Sequence, residues 1–392
     1  MSLLPVADAQ ARLFALARPL PAETVPITQA AGRWLTQHVV ALRDQPWADL
    51  SAMDGYAVRA AEYPGPWRIV GESAAGAADL PALAPGEAMR IFTGAPMPPG
   101  ADTILIQENA VRDGDTLTAN ADPLPPGRNV RPAAFDFARN AVLLKAGARL
   151  GPAQIALAVV AGHGALSVGA RPKIALLSTG NELVPAGAPT PPGFLPSSNA
   201  PMLAAMLVSL PCDVIDLGIV PDDLDAMAAA LAQAAQADII VSTGGASVGD
   251  HDLVRPAFLQ AGGSLDFWRI RMRPGKPLMA GRLGDALFLG LPGNPVSAFV
   301  TGTLFLLPLV RHLCGATDPF PLVGEAILAS PLPATAERDD YLRAFRSPNG
   351  IVSVTSQDSA ATAAMAQADC LILRPANSPA AAPGDRVTVL PL

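Results

Sequence analysis

Cysteine is scarce: Cys212, Cys314 and Cys370 are the only three in 392 residues, scattered and never in C-x-x-C spacing. That excludes a disulfide framework or a cysteine zinc site and fits a reducing cytoplasm. Positive charge is also in deficit, with 27 Lys+Arg against 34 Asp+Glu and a net charge of -7, so a nucleic-acid partner is not expected. Long hydrophobic runs are missing as well. The most apolar stretch, 298–310, falls short of the roughly 20 residues a bilayer demands and contains Gly302 and Pro308, so no membrane association is expected. The first residues, Met1-Ser2-Leu3-Leu4-Pro5, carry no basic region, and Asp8, Gln10 and Arg12 interrupt the next apolar stretch, which is unlike a signal peptide. No repeat of 20 to 50 residues is evident.

What the chain has in excess is glycine and proline, 34 and 41 residues, nearly one position in five. Turns and loops must abound, yet a hydrophobic content of 50% and a mean hydropathy of +0.32 are too apolar for a disordered chain. The length exceeds the roughly 250 to 300 residues at which single cores stop growing, so two to four domains are expected.

The local patterns differ along the chain. The first 45 or so residues read as helical, with Val6, Leu13, Leu16 and Ala17 on one apolar face. Between 46 and 136, short apolar runs at 67–70, 89–92 and 103–106 alternate with Pro/Gly clusters, the mark of a small β domain. The apolar segment 155–160 is expected to pack back against the N-terminal helices. From 171 a βα rhythm begins: strands at 173–177, 214–220, 238–241 and 287–291 alternate with helices bearing Met202, Leu203, Met206, Leu207 and Leu210, then Leu224, Met227 and Leu231. Ser198 or Asn199 would cap the first helix, and Asp222 or Asp223 the second. Such alternation implies a parallel sheet covered by helices. Beyond 318 the runs 326–328, 341–345, 351–354, 371–373 and 387–390 read as short strands of a C-terminal β domain or barrel.

In an open α/β sheet ligands bind beyond the carboxyl ends of the strands. Three of those ends feed polar loops, at 178–182, 242–252 and 292–295. Gly244, Gly245 and Gly249 would let backbone N–H groups approach an anion, and Pro295 suits the first turn of a helix whose N-terminus attracts negative charge. A phosphate-bearing ligand is the natural guest; tight turns alone are the other use of such glycines. Glu182, Asp222, Asp250 and Asp252 share this rim, which suggests Mg2+ bridging to phosphate oxygens, although Asp222 or Asp223 would serve equally as a helix cap. If 268–277 is one strand, Arg269, Arg271 and Arg273 project from one face and, with Lys276, could bind oxyanions. A charged, solvated edge strand is the alternative. In the first half, Asp54 and Thr93 sit in loop-like segments and could hydrogen-bond a ligand or cap their own turns.

Seven motifs in order, S-A-M-D-G-Y-A-V (51–58), I-F-T-G-A-P-M-P-P-G-A-D (91–102), G-R-N-V-R (127–131), L-S-T-G-N-E-L (177–183), S-T-G-G-A-S-V-G-D-H-D (242–252), R-P-G-K-P (273–277) and L-P-G-N-P-V-S (291–297), span nearly the whole chain. In them the sequence resembles the molybdopterin molybdenumtransferase family, the MoeA and gephyrin E-domain group. The resemblance implies a multidomain α/β plus β architecture. Residues 1–45 with 137–170 would form an elongated, helical N-terminal domain, 46–136 a small β domain, 171–317 an α/β domain with a mostly parallel sheet resembling the molybdopterin-binding fold, and 318–392 a β-barrel-like domain.

It also implies an insertase that places molybdate into the dithiolene of adenylylated molybdopterin, with Mg2+, releasing AMP and molybdenum cofactor. By matching motif positions, Asp54, Thr93, Asp136, Glu182, Asp222 and Asp252 become site candidates, with Asp222 and Asp252 the expected metal ligands. Ser178, Gly180, Gly244, Gly245, Ser247, Gly249, Pro292, Gly293 and Pro295 would surround the nucleotide-bearing substrate, and Arg269, Arg273 and Lys276 would bind molybdate or phosphate. Members commonly carry lysine where this chain has Arg269 and Arg273, and Gly-Glu where Ala134-Phe135 precedes Asp136. The resemblance further implies a homodimer in which Asp54 and Thr93 approach the partner's α/β domain, and transient contact with the molybdopterin adenylyltransferase and recipient molybdoenzymes. The 171–313 region also resembles that adenylyltransferase, and eukaryotic relatives use this fold as a receptor scaffold, so an adenylyltransferase and a non-catalytic dimeric binding module are the alternatives.

Overall fold

The βα rhythm of the second half builds the central sheet of the computed structural model, which describes residues 3–245 and 253–392, with Trp268 described by its backbone alone. Its strand order is Asp213–Val220, Lys173–Thr179, Ile239–Thr243, Ala286–Leu291, Met279–Leu283, Ser264–Trp268. The first four run parallel and the last two are added antiparallel. Helices Leu224–Ala234 and Val254–Gln260 cover one face, burying Met227, Leu231 and Phe258 against Leu177, Ile240 and Phe288. The other face packs Leu203, Leu207, Val300, Phe305 and Leu309 against Ile174, Leu176 and Leu289.

On that second face a continuous helical stretch, Pro295–Leu313, has a mean hydropathy of 1.5 and is long and apolar enough to cross a membrane by length and composition. It is 78% buried within the fold and is the central strut of this core. A π-helical turn at Gly302–Leu306 interrupts it where Gly302 lies against Leu203 and Met206.

The helical expectation for the first 45 residues holds only for Val6–Leu16, which buries Val6, Ala9 and Leu13 in the core of the central sheet. Pro19, Pro21 and Pro26 end helical continuation, because each lacks an N–H and clashes with the preceding turn. Ala22–Pro26 is instead a strand paired with Ala165–Gly169, and Val39–Val40 pairs with Val142–Leu144. The helix Pro152–Val160 packs on these strands, with Ala158 against Val25, Leu35 and Val168, rather than on other helices.

The small β sheet has the order Thr103–Ile106, Gly55–Val58, Glu87–Ile91, Trp67–Ser73, Thr116–Ala119, Ala110–Asp113, around a buried Trp67. At the C-terminus the order is Met272–Arg273, Asp339–Ser347, Cys370–Arg374, Arg386–Pro391, Gly324–Ile327, with Gly350–Ser353 also on Asp339–Ser347. A bridge from Leu328 to Ile351 brings the Gly324–Ile327 end of this sheet back onto Gly350–Ser353, so the sheet curls into a barrel.

The 268–277 stretch is not one strand, and this corrects the expected row of arginines. Ser264–Trp268 ends at Arg269, whose φ of 78° takes the backbone into the left-handed region, where period-2 alternation cannot continue. Met272–Arg273 then leaves the central sheet and pairs in parallel with Asp339 and Asp340 of the barrel. The segment is therefore a strap between two sheets.

Candidate active site

Where the strand ends, the strap and the barrel meet, they enclose a cavity of about 920 Å3. From the carboxyl ends of the parallel strands come Ser178, Thr179, Gly180, Glu182, Thr243, Gly244, Gly245, Pro292, Gly293 and Pro295, and Asp222 joins them from the turn after Asp213–Val220. The strap contributes Arg273 and Lys276. Thus most of the site residues expected from the sequence converge on one space, at the crevice where open parallel sheets bind ligands.

Glycine has a steric reason here. Gly244 has a φ of 94°, and a Cβ would lie 2.5 Å from the Thr179 carbonyl oxygen, so only glycine lets these two strand ends close on each other. The floor beneath is polar and buried: the Ser197 and Thr243 hydroxyls each lie 3.3 Å from the Ser178 hydroxyl. Asn199 Nδ2 donates to the Gly293 carbonyl at 2.7 Å, while its Oδ1 is buried without a partner among the described residues. An unpaired buried acceptor is costly, and a ligand N–H would relieve it.

The two neighbouring aspartates divide their duties. Asp223 caps the Leu224–Ala234 helix by accepting from Ala226 N at 2.9 Å. Asp222 is left for the rim, where it accepts from Asn181 N at 3.2 Å and its own N–H donates to Asn181 Oδ1 at 3.1 Å.

The barrel supplies a wall that sequence reasoning missed: Arg338, Gln357, Asp358 and Ser359 all line the cavity. Nothing local marks them. They become neighbours of the strand ends only because the strap pairs with Asp339–Ser347. Cationic side chains of Arg273, Lys276 and Arg338 therefore share the cavity with carboxylates of Glu182, Asp222 and Asp358. Near them Asp340 is pushed above the ordinary carboxylate range by burial, against the pull of Arg273, Arg338 and Arg374.

Other candidates lie elsewhere. Arg269 is not a lining residue; its backbone is engaged with Leu4 and Leu278. Arg271 faces Asp339 at 3.9 Å. Asp136 is exposed, with its N–H donated to the Gln45 carbonyl at 2.8 Å. Ser247, Gly249, Asp250, His251 and Asp252 lie outside the described residues. Asp54 and Thr93 are close partners in the small β sheet: Thr93 N and Oγ1 donate to Asp54 Oδ1 at 2.7 and 2.8 Å, which holds this carboxyl below its ordinary range. Arg90 stands beside them, stacked on Phe92 with its guanidinium 4.8 Å from the ring centroid.

The family models match the chain in three consecutive blocks. "MoeA N-terminal region (domain I and II)" covers 4–162, "Probable molybdopterin binding domain" 175–312, and "MoeA C-terminal region (domain IV)" 325–392. The molybdopterin molybdenumtransferase of Haemophilus influenzae is 33% identical over 95% of this chain and 95% of its own length. The chain belongs to the molybdopterin molybdenumtransferase family.

Molybdopterin molybdenumtransferase 2 of Mycobacterium tuberculosis is 35% identical over 86% of this chain and 85% of its own. A crystal structure of a molybdopterin biosynthesis moea protein from Pyrococcus horikosii superimposes with a TM-score of 0.84 at 28% identity, covering 100% of this chain and 99% of that one. As a member of that family, the chain is a transferase of molybdenum cofactor biosynthesis, and the scaffold-only alternative falls away.

Proposed function

We propose that the cavity binds adenylylated molybdopterin and molybdate, that molybdate enters the dithiolene, and that cleavage of the phosphoanhydride releases AMP and molybdenum cofactor. The observation that carries this reading is the pairing of three cations, Arg273, Lys276 and Arg338, with a glycine-walled crevice at parallel strand ends. Pyrophosphate and molybdate are both oxyanions. Guanidinium groups bind such oxygens through paired N–H donors, while the ammonium of Lys276 acts as a point charge. Phosphoanhydride cleavage asks the protein chiefly for positioning and charge neutralisation, which fixed cations and backbone N–H groups at Gly245 and Gly293 can supply.

A divalent cation suits the donor set. No three His, Cys, Asp or Glu side chains cluster as ligands among the described residues. Mg2+, however, is usually held by one or two carboxylates together with substrate phosphates and waters. Asp222, lining the cavity with Glu182, is one such ligand, and the sequence adds Asp252. Bound there, Mg2+ would offset charge on phosphate oxygens. The protein's own groups then orient the substrate: Asn181 holds the backbone and carboxylate of Asp222, and Asn199 offers its free Oδ1 to a pterin N–H.

The same reading places the enzyme in the cytoplasm as a homodimer, with Asp54 and Thr93 of one copy completing the site of the other, and with passing contacts to the adenylyltransferase upstream and the molybdoenzymes downstream. The test is direct. Purified protein given adenylylated molybdopterin, molybdate and Mg2+ should release AMP and yield active cofactor, and Arg273→Ala should raise the KM for molybdate about tenfold. Absence of AMP release from the unmodified protein would overturn the reading. ATP-dependent adenylylation of metal-free molybdopterin would replace it with the adenylyltransferase alternative.

A further inference from the structure

Arg343 lies on the barrel strand Asp339–Ser347 and is fully buried, yet it is not one of the cavity-lining residues. Burying a guanidinium is expensive unless its N–H groups are matched, so its partners are informative. They all belong to one short loop. Arg343 Nη1 donates to the Asp358 carbonyl at 3.1 Å, and Nη2 and Nε reach Gln357 Oε1 at 3.3 and 3.4 Å.

Gln357 answers in kind. Its Oε1 also accepts from Arg343 N at 3.1 Å, and its Nε2 donates to the Arg343 carbonyl at 2.8 Å. This amide sits on the edge of Asp339–Ser347 just beyond the last pair with Gly350–Ser353, Ala344 with Ser353; it shares the Arg343 carbonyl with Val354 N, which donates to it at 3.0 Å, and supplies the acceptor for the Arg343 N–H. A carboxylate could accept there but could not donate, so the position calls for an amide.

The loop held in this way, 354–361, has no strand or helix of its own. It carries Asp358 and Ser359 into the cavity wall, and the Ser359 hydroxyl accepts from Asn294 Nδ2 at 2.8 Å. Asn294 precedes Pro295 at the head of the apolar helix, so this one bond ties the barrel to the central α/β body across the site. The chain of contacts runs from a buried cation, through a side-chain amide and a loop, to the helix that forms the opposite wall.

We propose that Arg343 is a positioning residue: through Gln357 and Asp358 it holds the 354–361 loop against Asn294 and fixes how closely the barrel wall faces the strand ends. Substrate oxyanions then meet a preformed wall, and the ordering of the loop is met by folding instead of by binding. This inference rests on the cavity being the molybdate site.

The experiment compares Arg343→Lys, Gln357→Glu, Asn294→Ala and the harsher Arg343→Met with the unmodified enzyme, by hydrogen–deuterium exchange without substrate and by steady-state kinetics in molybdate. Expected are faster exchange confined to 354–361 and a KM for molybdate raised about tenfold, with kcat within about threefold and native thermal unfolding. Arg343→Lys should recover part of the protection that Arg343→Met loses. Unchanged exchange at 354–361 in folded Gln357→Glu, or faster exchange with an unchanged KM, overturns the proposal. If Arg343→Met fails to fold, the three milder variants decide. If the unmodified enzyme shows no turnover, the functional reading fails, while the exchange experiment still decides whether Arg343 and Gln357 fix the loop.

Discussion

Asp222 and Asp223 are adjacent and chemically identical, and only the geometry separates them. Asp223 satisfies an orphan N–H of the Leu224–Ala234 helix, whereas Asp222 faces the cavity. Their substitutions should therefore have crossed effects. Asp223→Ala should lower stability by about 1 kcal/mol, as lost N-caps do, with turnover nearly unchanged. Asp222→Asn should leave thermal unfolding within about 2 °C while AMP release falls about a hundredfold, the scale of losing one preorganised charge at a reacting phosphate. Thermal denaturation and an AMP-release assay on both variants check this; equal effects at the two positions would refute the division.

The three thiols give a second residue-scale expectation. Burial pushes Cys212 up to about 11 and both Cys314 and Cys370 up to about 12. A raised thiol pKa means that the folded state holds its proton when the unfolded chain has lost it. Stability is then unaffected below about pH 9, the ordinary thiol range, and declines between about pH 9 and 12. Denaturant midpoints across that range should fall with pH. At pH 8 a thiol reagent should label none of the three in native protein and all of them in denaturant. Labelling of native protein would show that these thiols are accessible.

At the scale of elements, Gly55 shows how a motif can have a packing reason. It begins the strand Gly55–Val58 in the middle of the small sheet, where a Cβ would come within 2.1 Å of the Leu105 carbonyl oxygen. Gly55→Ala should destabilise this sheet by about 2 kcal/mol, the range for overpacking, and displace its neighbour Asp54. Limited proteolysis and calorimetry would locate the loss in residues 50–120; a variant as stable as the parent would remove the steric argument.

Elements whose signals are local were legible: the helices Asn199–Leu207 and Leu224–Ala234 from apolar spacing, the second also from its Asp223 cap, and the four parallel strands of the central sheet from short apolar runs between loops, whereas Ser198 makes no side-chain cap bond and the two antiparallel strands were not read. The 268–277 strap was not, because its partner strand begins at Asp339 and strand pairing over such a separation leaves no local mark. The same long-range pairing hid Arg338 and the loop carrying Gln357 and Ser359. Pro19, Pro21 and Pro26 did mark the end of the first helix, and the apolar face Val6, Leu13, Leu16 and Ala17 stops short of them.

At the scale of the whole molecule, the site candidates fall into two groups. Asp54 and Thr93 bond to each other on the small sheet, while the cavity between the central sheet and the barrel is lined without them. If both groups serve one reaction, a second copy has to bring the Asp54 pair to the cavity, which a two-fold dimer does twice over. Mixing two inactive variants distinguishes this from a site within one chain. In a mixed dimer of Asp54→Asn and Asp222→Asn, a shared site has one defective combination, with both substitutions, and one intact combination, with neither. Random pairing makes half of the dimers mixed, so co-refolded or co-expressed protein should regain about a quarter of the parental activity. A site built within each chain predicts none, since every chain then carries one lesion. Recovery near a quarter, with either variant alone inactive, would establish the shared site; no recovery in demonstrably mixed dimers would exclude it.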